Sequence, residues 1–210
     1  IIILAAGLGK RMYSVLPKVL HLLAGKSLLA HVLSAAYALS PQKICVVYGH
    51  GNDTVPNLIG DKQLVWVKQE PQLGTGHALL QALPHLDEKG MTLVLYGDVP
   101  LIKSETLRNL ISGASEESLS LLTVELDEPS GYGRIIRDVG TNEIIEIVEE
   151  KDTNKEQQEI REINTGIMAV SNVNLFEWLP KLENNNTQKE YYLTDIVEMA
   201  AEDGKKIRAI

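Results

Sequence analysis

The chain has 210 residues, 44% of them hydrophobic and 23% charged, an ordinary globular composition long enough for one sizeable core. Its net charge of −8 argues against general nucleic-acid binding, and no run of about 18 apolar residues exists, so the sequence holds no membrane span. A single cysteine, Cys45, excludes an internal disulfide; inside the apolar "KICVVY" it reads as a small buried hydrophobe and fits a cytoplasmic location.

"IIILAA" is a short apolar run ending at glycine, suited to a strand buried on both faces. No signal peptide precedes it and the chain opens without Met, so the expectation is one domain over 1–210, truncated at both ends. Helical periodicity over 27–39 begins at Ser27, a good N-cap. Strands are expected at 43–48, 64–68 and 92–96, with a helix at 76–83 between the last two. A helix at 104–114 with Ser104 as its cap and a strand at 119–126 follow. The alternation predicts an α/β fold: a Rossmann-like, doubly wound, mostly parallel sheet.

The pattern then changes. "GRIIRD" and "EIIEIVE" read as alternating strands around a turn at Gly140, a small β-hairpin insertion near 131–150. The polar stretch 149–162 reads as a solvated loop or short helix. A strand at 164–170, helices at 174–182 and 192–204, the latter ended by Gly204, and a last strand begun by "KIRAI" complete the chain.

Charge is unevenly placed. Residues 1–52 contain no Asp or Glu and five cations, Lys10, Arg11, Lys18, Lys26 and Lys43; the remainder carries a balance of −13. An acid-free end of an acidic protein attracts anions locally. Three of those cations crowd the loop after the first strand, "LAAGLGKRM". That loop is neither a P-loop nor a dinucleotide fingerprint: Leu4 stands where the P-loop glycine belongs and Met12 where the third fingerprint glycine belongs.

Glycines recur after the other strands: "GHG" (49–51), "GTG" (74–76), "YGD" (96–98), and "GYG" (131–133) before the hairpin. Ligands of doubly wound sheets bind at the carboxyl ends of the strands, where glycine lets backbone N–H groups approach them. Several such turns on one edge suggest a long ligand with several parts. Asp98 ends a buried strand just before Pro100. It could cap a turn, or hold Mg²⁺, which prefers oxygen ligands and often bridges nucleotide phosphates. A basic loop and an acid on one edge point to phosphoryl or nucleotidyl transfer.

"LAAGLGKRM" continuing to "LPKVL" resembles the L-x-A-G-x-G-T-R-M…P-K signature of the sugar-1-phosphate nucleotidylyltransferases. "QLGTGHA", "LYGDVPLI", "GYGRI", "IVEEKD", "EINTGI" and "NNNTQKEYYLTDI" extend the resemblance over essentially the whole chain. They narrow it to the uridyltransferase domain of the bifunctional bacterial N-acetylglucosamine-1-phosphate uridyltransferase/glucosamine-1-phosphate acetyltransferases. Lys10 departs from the commoner Thr.

The resemblance implies transfer of UMP from UTP to N-acetylglucosamine 1-phosphate, giving UDP-N-acetylglucosamine and pyrophosphate. Leu4, Ala5, Ala6 and Gly7 would hold the nucleotide, Arg11 the triphosphate, and Lys18 the phosphates near the reacting phosphorus. Gln69, Gly74 and Thr75 would read uracil and flank the sugar; Tyr96 and Gly97 would line the centre, with Asp98 on Mg²⁺. Gly133, Glu149, Asn164 and Thr194 would hold the amino sugar. The resemblance also implies a second Mg²⁺ ligand, an Asn past Ile210, and a β-helix acetyltransferase domain, here absent, through which the full-length protein forms a homotrimer; the fragment is then expected as a monomer.

Each residue has a plainer reading. Glu149 could be solvated, Gln69 could close a turn before Pro71, and Asn164 could hold the start of its strand. Tyr191, Tyr192, His21, His31 and His77 read as packing residues. The alternatives are a nucleotidylyltransferase for another sugar phosphate or base, or a nucleotide-sugar-binding domain without turnover.

Overall fold

Strand β1 (Ile2–Ala5) is buried along its whole length, and its side chains alternate between two cores. Ile2 and Leu4 enter one, Ile3 and Ala5 the other. A computed structural model describes residues 1–7, 9, 12–49 and 53–210, so Lys10, Arg11 and most of "GHG" lie outside the described residues. After β1 come a 3₁₀ turn (Lys18–Leu20), a two-residue hairpin of β2 (Leu22–Leu23) and β3 (Lys26–Ser27), and α1 (Leu28–Tyr37). The expected cap holds: the Ser27 hydroxyl accepts from the Ala30 N–H.

The next elements are β4 (Cys45–Gly49), α2 (Thr54–Ile59), β5 (Val65–Gln69), α3 (Thr75–Ala82), β6 (Met91–Tyr96), α4 (Ser104–Gly113) and β7 (Ser118–Glu125). Helix α2 is absent from the sequence reading, and Pro56 does not break it. The proline sits in the first turn, where no intrahelical partner for its missing N–H is required. Ser104 is not a cap: Lys103 takes that position, and the Ser104 hydroxyl makes no capping bond.

The hairpin is β8 (Arg134–Arg137) and β9 (Ile144–Val148). Then follow a 3₁₀ turn (Glu150–Asp152), α5 (Lys155–Gln158), β10 (Glu162–Ser171), α6 (Asn172–Trp178), α7 (Asp195–Glu202) and β11 (Lys206–Ala209). Helix α6 begins two residues earlier than expected because Ser171 caps it. Helix α7 begins later, because residues 191–194 make tertiary bonds described below.

The main path of the sheet runs β11-β7-β10-β6-β1-β4-β5. Pairings among β6, β1, β4 and β5, and of β11 with β7, are parallel; β10 is antiparallel to both of its path neighbours and also pairs with β8. Helices α1, α2 and α4 cover one face; α3, α6 and α7 cover the other. This is the doubly wound, mostly parallel sheet with a hairpin insertion. After β1 the chain moves outward through β4 to β5, then returns to β6 on the other side of β1. That reversal leaves a crevice at the carboxyl ends of β1, β5 and β6.

Candidate active site

The crevice is a cleft of about 660 Å³. Leu4, Ala5, Ala6, Gly7, Lys18, Gln69, Gly74, Thr75, Tyr96 and Asp98 line it, ten of the sequence-predicted residues. Gly97 lies beneath: its N–H donates to the Leu4 carbonyl, and a Cβ there would press on Val19, Ala5 and Leu29 within 3.4 Å. Arg11 lies outside the described residues.

Lys18 and Asp98 form an ion pair at the cleft, with side chains 42% and 25% exposed. One comes from the 3₁₀ turn and the other from the end of β6, so two distant segments deliver opposite charges to one point.

Gln69 is 2% exposed. Its amide nitrogen donates to the Gly74 carbonyl at 2.9 Å and lies 3.1 Å from His77 Nδ1. Both amide hydrogens are thereby used, and Oε1 is the atom left to accept a ligand N–H. Burial lowers the pKa of His77, which favours the neutral ring that can accept from Gln69. His77 is thus a partner of Gln69 and not only a packing residue.

The 73–76 loop is locked to 191–193. Tyr191 N–H donates to Leu73 O and Gly76 N–H to Tyr191 O, both at 2.8 Å; Leu193 N–H donates to Thr75 Oγ1 at 3.0 Å. "QLGTGHA" and "EYYLTDI", distant in sequence, are one structural unit.

Gly133, Glu149, Asn164 and Thr194 form a second group. Asn164 N–H donates to Gly133 O at 2.8 Å, and Thr194 Oγ1 donates to Glu149 Oε1 at 3.1 Å. A Cβ on Gly133 would lie 3.4 Å from Glu149 Oε2. Burial raises the Glu149 pKa and the Asp152 and Glu190 carboxylates add to it, while the Thr194 bond opposes it. Asn164 Oδ1 accepts from Gly166 N–H at 2.9 Å, so the Asn164 amide nitrogen is the group left for a ligand.

Tyr96 joins the two groups. Burial, then Glu149 and Asp98, push its phenol well above the ordinary range, against a hydrogen bond with Thr75. It stays neutral and can donate. Gly166, at φ +82, leaves room for its ring.

Two polar lining residues are missing from the sequence reading. Gln72 donates to the Ala6 carbonyl and ties the loop after β5 to the loop after β1. Glu190 also lines the cleft, its Cβ close to Gly74. Gln72 is signalled only by its place inside "QLGTGHA", and Glu190 carries no sequence signal.

Asp195 opens α7 beside this wall. Burial, then the Glu198, Glu149 and Asp152 carboxylates, raise its pKa from 3.8 to about 6. A raised folded-state pKa favours folding with the proton bound, so this contribution is complete below about pH 4 and is lost as pH rises through about 6. Asp195→Asn is expected to stabilise the fold at about pH 7.5, by on the order of 2 kcal/mol, and to have little effect near pH 4. Thermal melts across that range check it.

The doubly wound sheet is a fold shared with solved nucleotidyltransferases. Its solved neighbours include a UDP-glucose pyrophosphorylase complexed with UDP-glucose (TM-score 0.79, 20% identity, 99% of this chain and 88% of that one). Another is a putative glucose-1-phosphate thymidylyltransferase from Bacillus anthracis (TM-score 0.79, 20% identity, 100% and 85%). The family model for the MobA-like NTP transferase domain matches residues 1–161, and the chain belongs to that family. It is 64% identical over 207 residues to the bifunctional protein GlmU of Nitrosospira multiformis and 62% identical over 208 residues to that of Nitrosomonas eutropha. Each match covers 99% of this chain and 45% of the relative, so the chain spans just under half the length of those proteins.

Proposed function

We propose that the chain transfers UMP from UTP to N-acetylglucosamine 1-phosphate, releasing pyrophosphate. The observation that carries the reading is the pairing of sites: a nucleotide-sized cleft and the Glu149–Asn164–Thr194 group meet at Tyr96, with Lys18 and Asp98 at the cleft. The similarity to the GlmU proteins points the same way.

The bound uracil would present its imide N–H to Gln69 Oε1, while the 4–7 loop takes the ribose and phosphates. The sugar hydroxyls suit Glu149, and the acetamido carbonyl suits the Asn164 amide nitrogen. An oxygen of the sugar phosphate forms a bond to the α-phosphorus of UTP as the bond from that phosphorus to the pyrophosphate oxygen breaks. Two anions must approach within bonding distance, so positioning and charge neutralisation carry the rate. Lys18 supplies positive charge at the phosphates. Tyr96 and the buried walls exclude water.

Among the described residues no group of three or more His, Cys, Asp or Glu side chains could hold a metal. A single carboxylate facing a phosphate cleft suits Mg²⁺, which keeps several waters and commonly binds through one or two protein groups plus substrate phosphates. Asp98 would hold it, and the ion would neutralise charge on the phosphate oxygens.

Asn164→Asp tests the sugar assignment. It keeps the acceptor for Gly166 and removes the amide donor. The kcat/KM ratio of N-acetylglucosamine 1-phosphate over glucose 1-phosphate is expected to fall roughly tenfold, the scale of one lost hydrogen bond with a buried group stranded. Equal effects on both sugars would overturn the assignment. The whole reading is checked by pyrophosphate release with UTP, Mg²⁺ and paired sugar phosphates. A preference for another base or sugar identifies a different nucleotidylyltransferase, and binding without release identifies a domain that does not turn over.

A further inference from the structure

We propose that Asp152, Tyr192 and Gln188 form a clasp that positions the amino-sugar wall, and so sets affinity for the sugar portion of the ligand without affecting the nucleotide portion; this rests on the function proposed above.

The two sides of the clasp come from distant parts of the chain. Asp152 closes the 3₁₀ turn after Glu149, and its N–H donates to the Glu149 carbonyl at 2.8 Å. Both of its carboxylate oxygens are engaged by the opposite side: Thr187 N–H donates to Oδ1 at 2.9 Å and Tyr192 O–H to Oδ2 at 3.2 Å. Gln188 Nε2 donates to the Tyr192 hydroxyl at 2.8 Å, and Lys151 Nζ donates to Gln188 Oε1 at 2.6 Å.

The opposite side is a preformed turn. Asn186 accepts from Glu190 N–H and donates to Glu190 O at 3.2 and 2.6 Å, and Lys189 takes φ +57. Just beyond it, Tyr191 and Leu193 hold the 73–76 loop, and Thr194 donates to Glu149. One segment, 187–194, therefore borders both subsites. Its nucleotide side is fixed by two backbone bonds of Tyr191, to Leu73 and Gly76, and by the Thr75 hydroxyl on Leu193 N–H, none of which involves the clasp side chains. Its sugar side is fixed by Thr194 on Glu149 and by the clasp.

Asp152 is exposed, where water competes for its bonds, whereas Tyr192 is 7% exposed. The hydroxyl of Tyr192 is thus the sensitive member, and Tyr192→Phe removes it while keeping the buried ring. Arg134, 1% exposed and paired with Glu150 at 2.7 Å, holds the same turn from the hairpin side, so loss of the clasp frees one edge of the turn and not the whole.

The test is calorimetric binding of UDP and of UDP-N-acetylglucosamine to the 210-residue chain and to its Tyr192→Phe, Asp152→Asn and double variants, with melting temperatures alongside. The reference chain is expected to bind the sugar nucleotide more tightly than UDP. Each single variant is expected to bind UDP as the reference does and to lose roughly three- to tenfold of that sugar increment. The double variant is expected to lose less than the product of the singles, because the two residues share one bond. An increment retained in full, or UDP and sugar nucleotide weakened alike, overturns the clasp. A reference chain with no sugar increment overturns the proposed function itself, and the clasp with it.

Discussion

Lys18→Ala is expected to lower kcat by about 10²- to 10³-fold, the usual consequence of removing a charge that acts at a developing anion, with the fold intact. The fold survives because the side chain is 42% exposed and its ion pair with Asp98 is partly solvated. On the proposed mechanism activity falls, because the same ammonium would neutralise phosphate oxygens that crowd together only as the new bond forms, an interaction stronger in the transition state than in the ground state. The pairing of Lys18 with Asp98 adds a second expectation. With a triphosphate and a divalent cation present, the proposed mechanism would part the two charges, the ammonium going to phosphate and the carboxylate to the cation. Asp98→Asn is expected to lose activity through the metal, visible as a raised Mg²⁺ requirement of whatever turnover persists. The double variant is expected to be little worse than the poorer single, since the two act on one cluster of phosphate charge. Lys18→Arg should rescue only in part, because a planar fork does not replace a compact point charge. Pyrophosphate release over a Mg²⁺ titration measures all four proteins; near-normal kcat in Lys18→Ala would remove the residue from the mechanism.

Gly74→Ala is expected to abolish nucleotide binding and to cost several kcal/mol of stability. Gly74 takes φ +112, and a Cβ there would lie 2.5 Å from the Tyr191 carbonyl oxygen and 2.9 Å from its nitrogen. Those are backbone atoms already fixed by Tyr191's bonds to Leu73 and Gly76. They cannot rotate aside as a side-chain end would. An unfavourable φ costs about 1–3 kcal/mol, and forced overpacking costs a similar amount again. The same shift displaces the Gly74 carbonyl from Gln69, and Gln69 then loses the bond that aims its Oε1 into the cleft. Chemical denaturation and UDP titration measure the two effects. A variant of unchanged stability that still binds UDP would show that this loop is free to move.

The strands of the first half were legible because burial on both faces makes them continuous apolar runs between glycines, as at Ile2–Ala5 and Cys45–Gly49. Elements that break a local rule were not legible. Thr54–Ile59 hides a proline in its first turn, and the Leu22–Ser27 hairpin turns through Ala24 and Gly25, where Ala24 takes an uncommon φ of +49. The strand-end residues that line the cleft were candidates partly because glycine and charge mark Gly7, Lys18, Gly74 and Asp98, and partly through the family resemblance, as for Leu4, Gln69 and Tyr96. Gln72 and Glu190 were not, since their roles depend on which distant carbonyl or loop they face. Tyr192 illustrates the limit. An aromatic residue before an apolar helix looks like core, and its ring is core; only the fold shows that its hydroxyl meets Asp152, 40 positions away.

The place of β10 in the sheet has a consequence for how the chain folds. Strands β1, β4, β5 and β6 have all been synthesised by Tyr96, yet the open side of β6 waits for β10, which pairs Met168 with Val94 and Ser171 with Met91. Strand β7 waits for the same partner. Until Ser171 has left the ribosome, the two halves of the sheet cannot join, and each presents an unpaired apolar edge to other chains. Closing that gap requires a long loop before any contact rewards it, which makes insertion of β10 a slow step. The strand that brings Asn164 and Gly166 to Tyr96 is thus also the last central piece of the sheet to arrive, and the interval before it docks is when the growing chain is most exposed to aggregation.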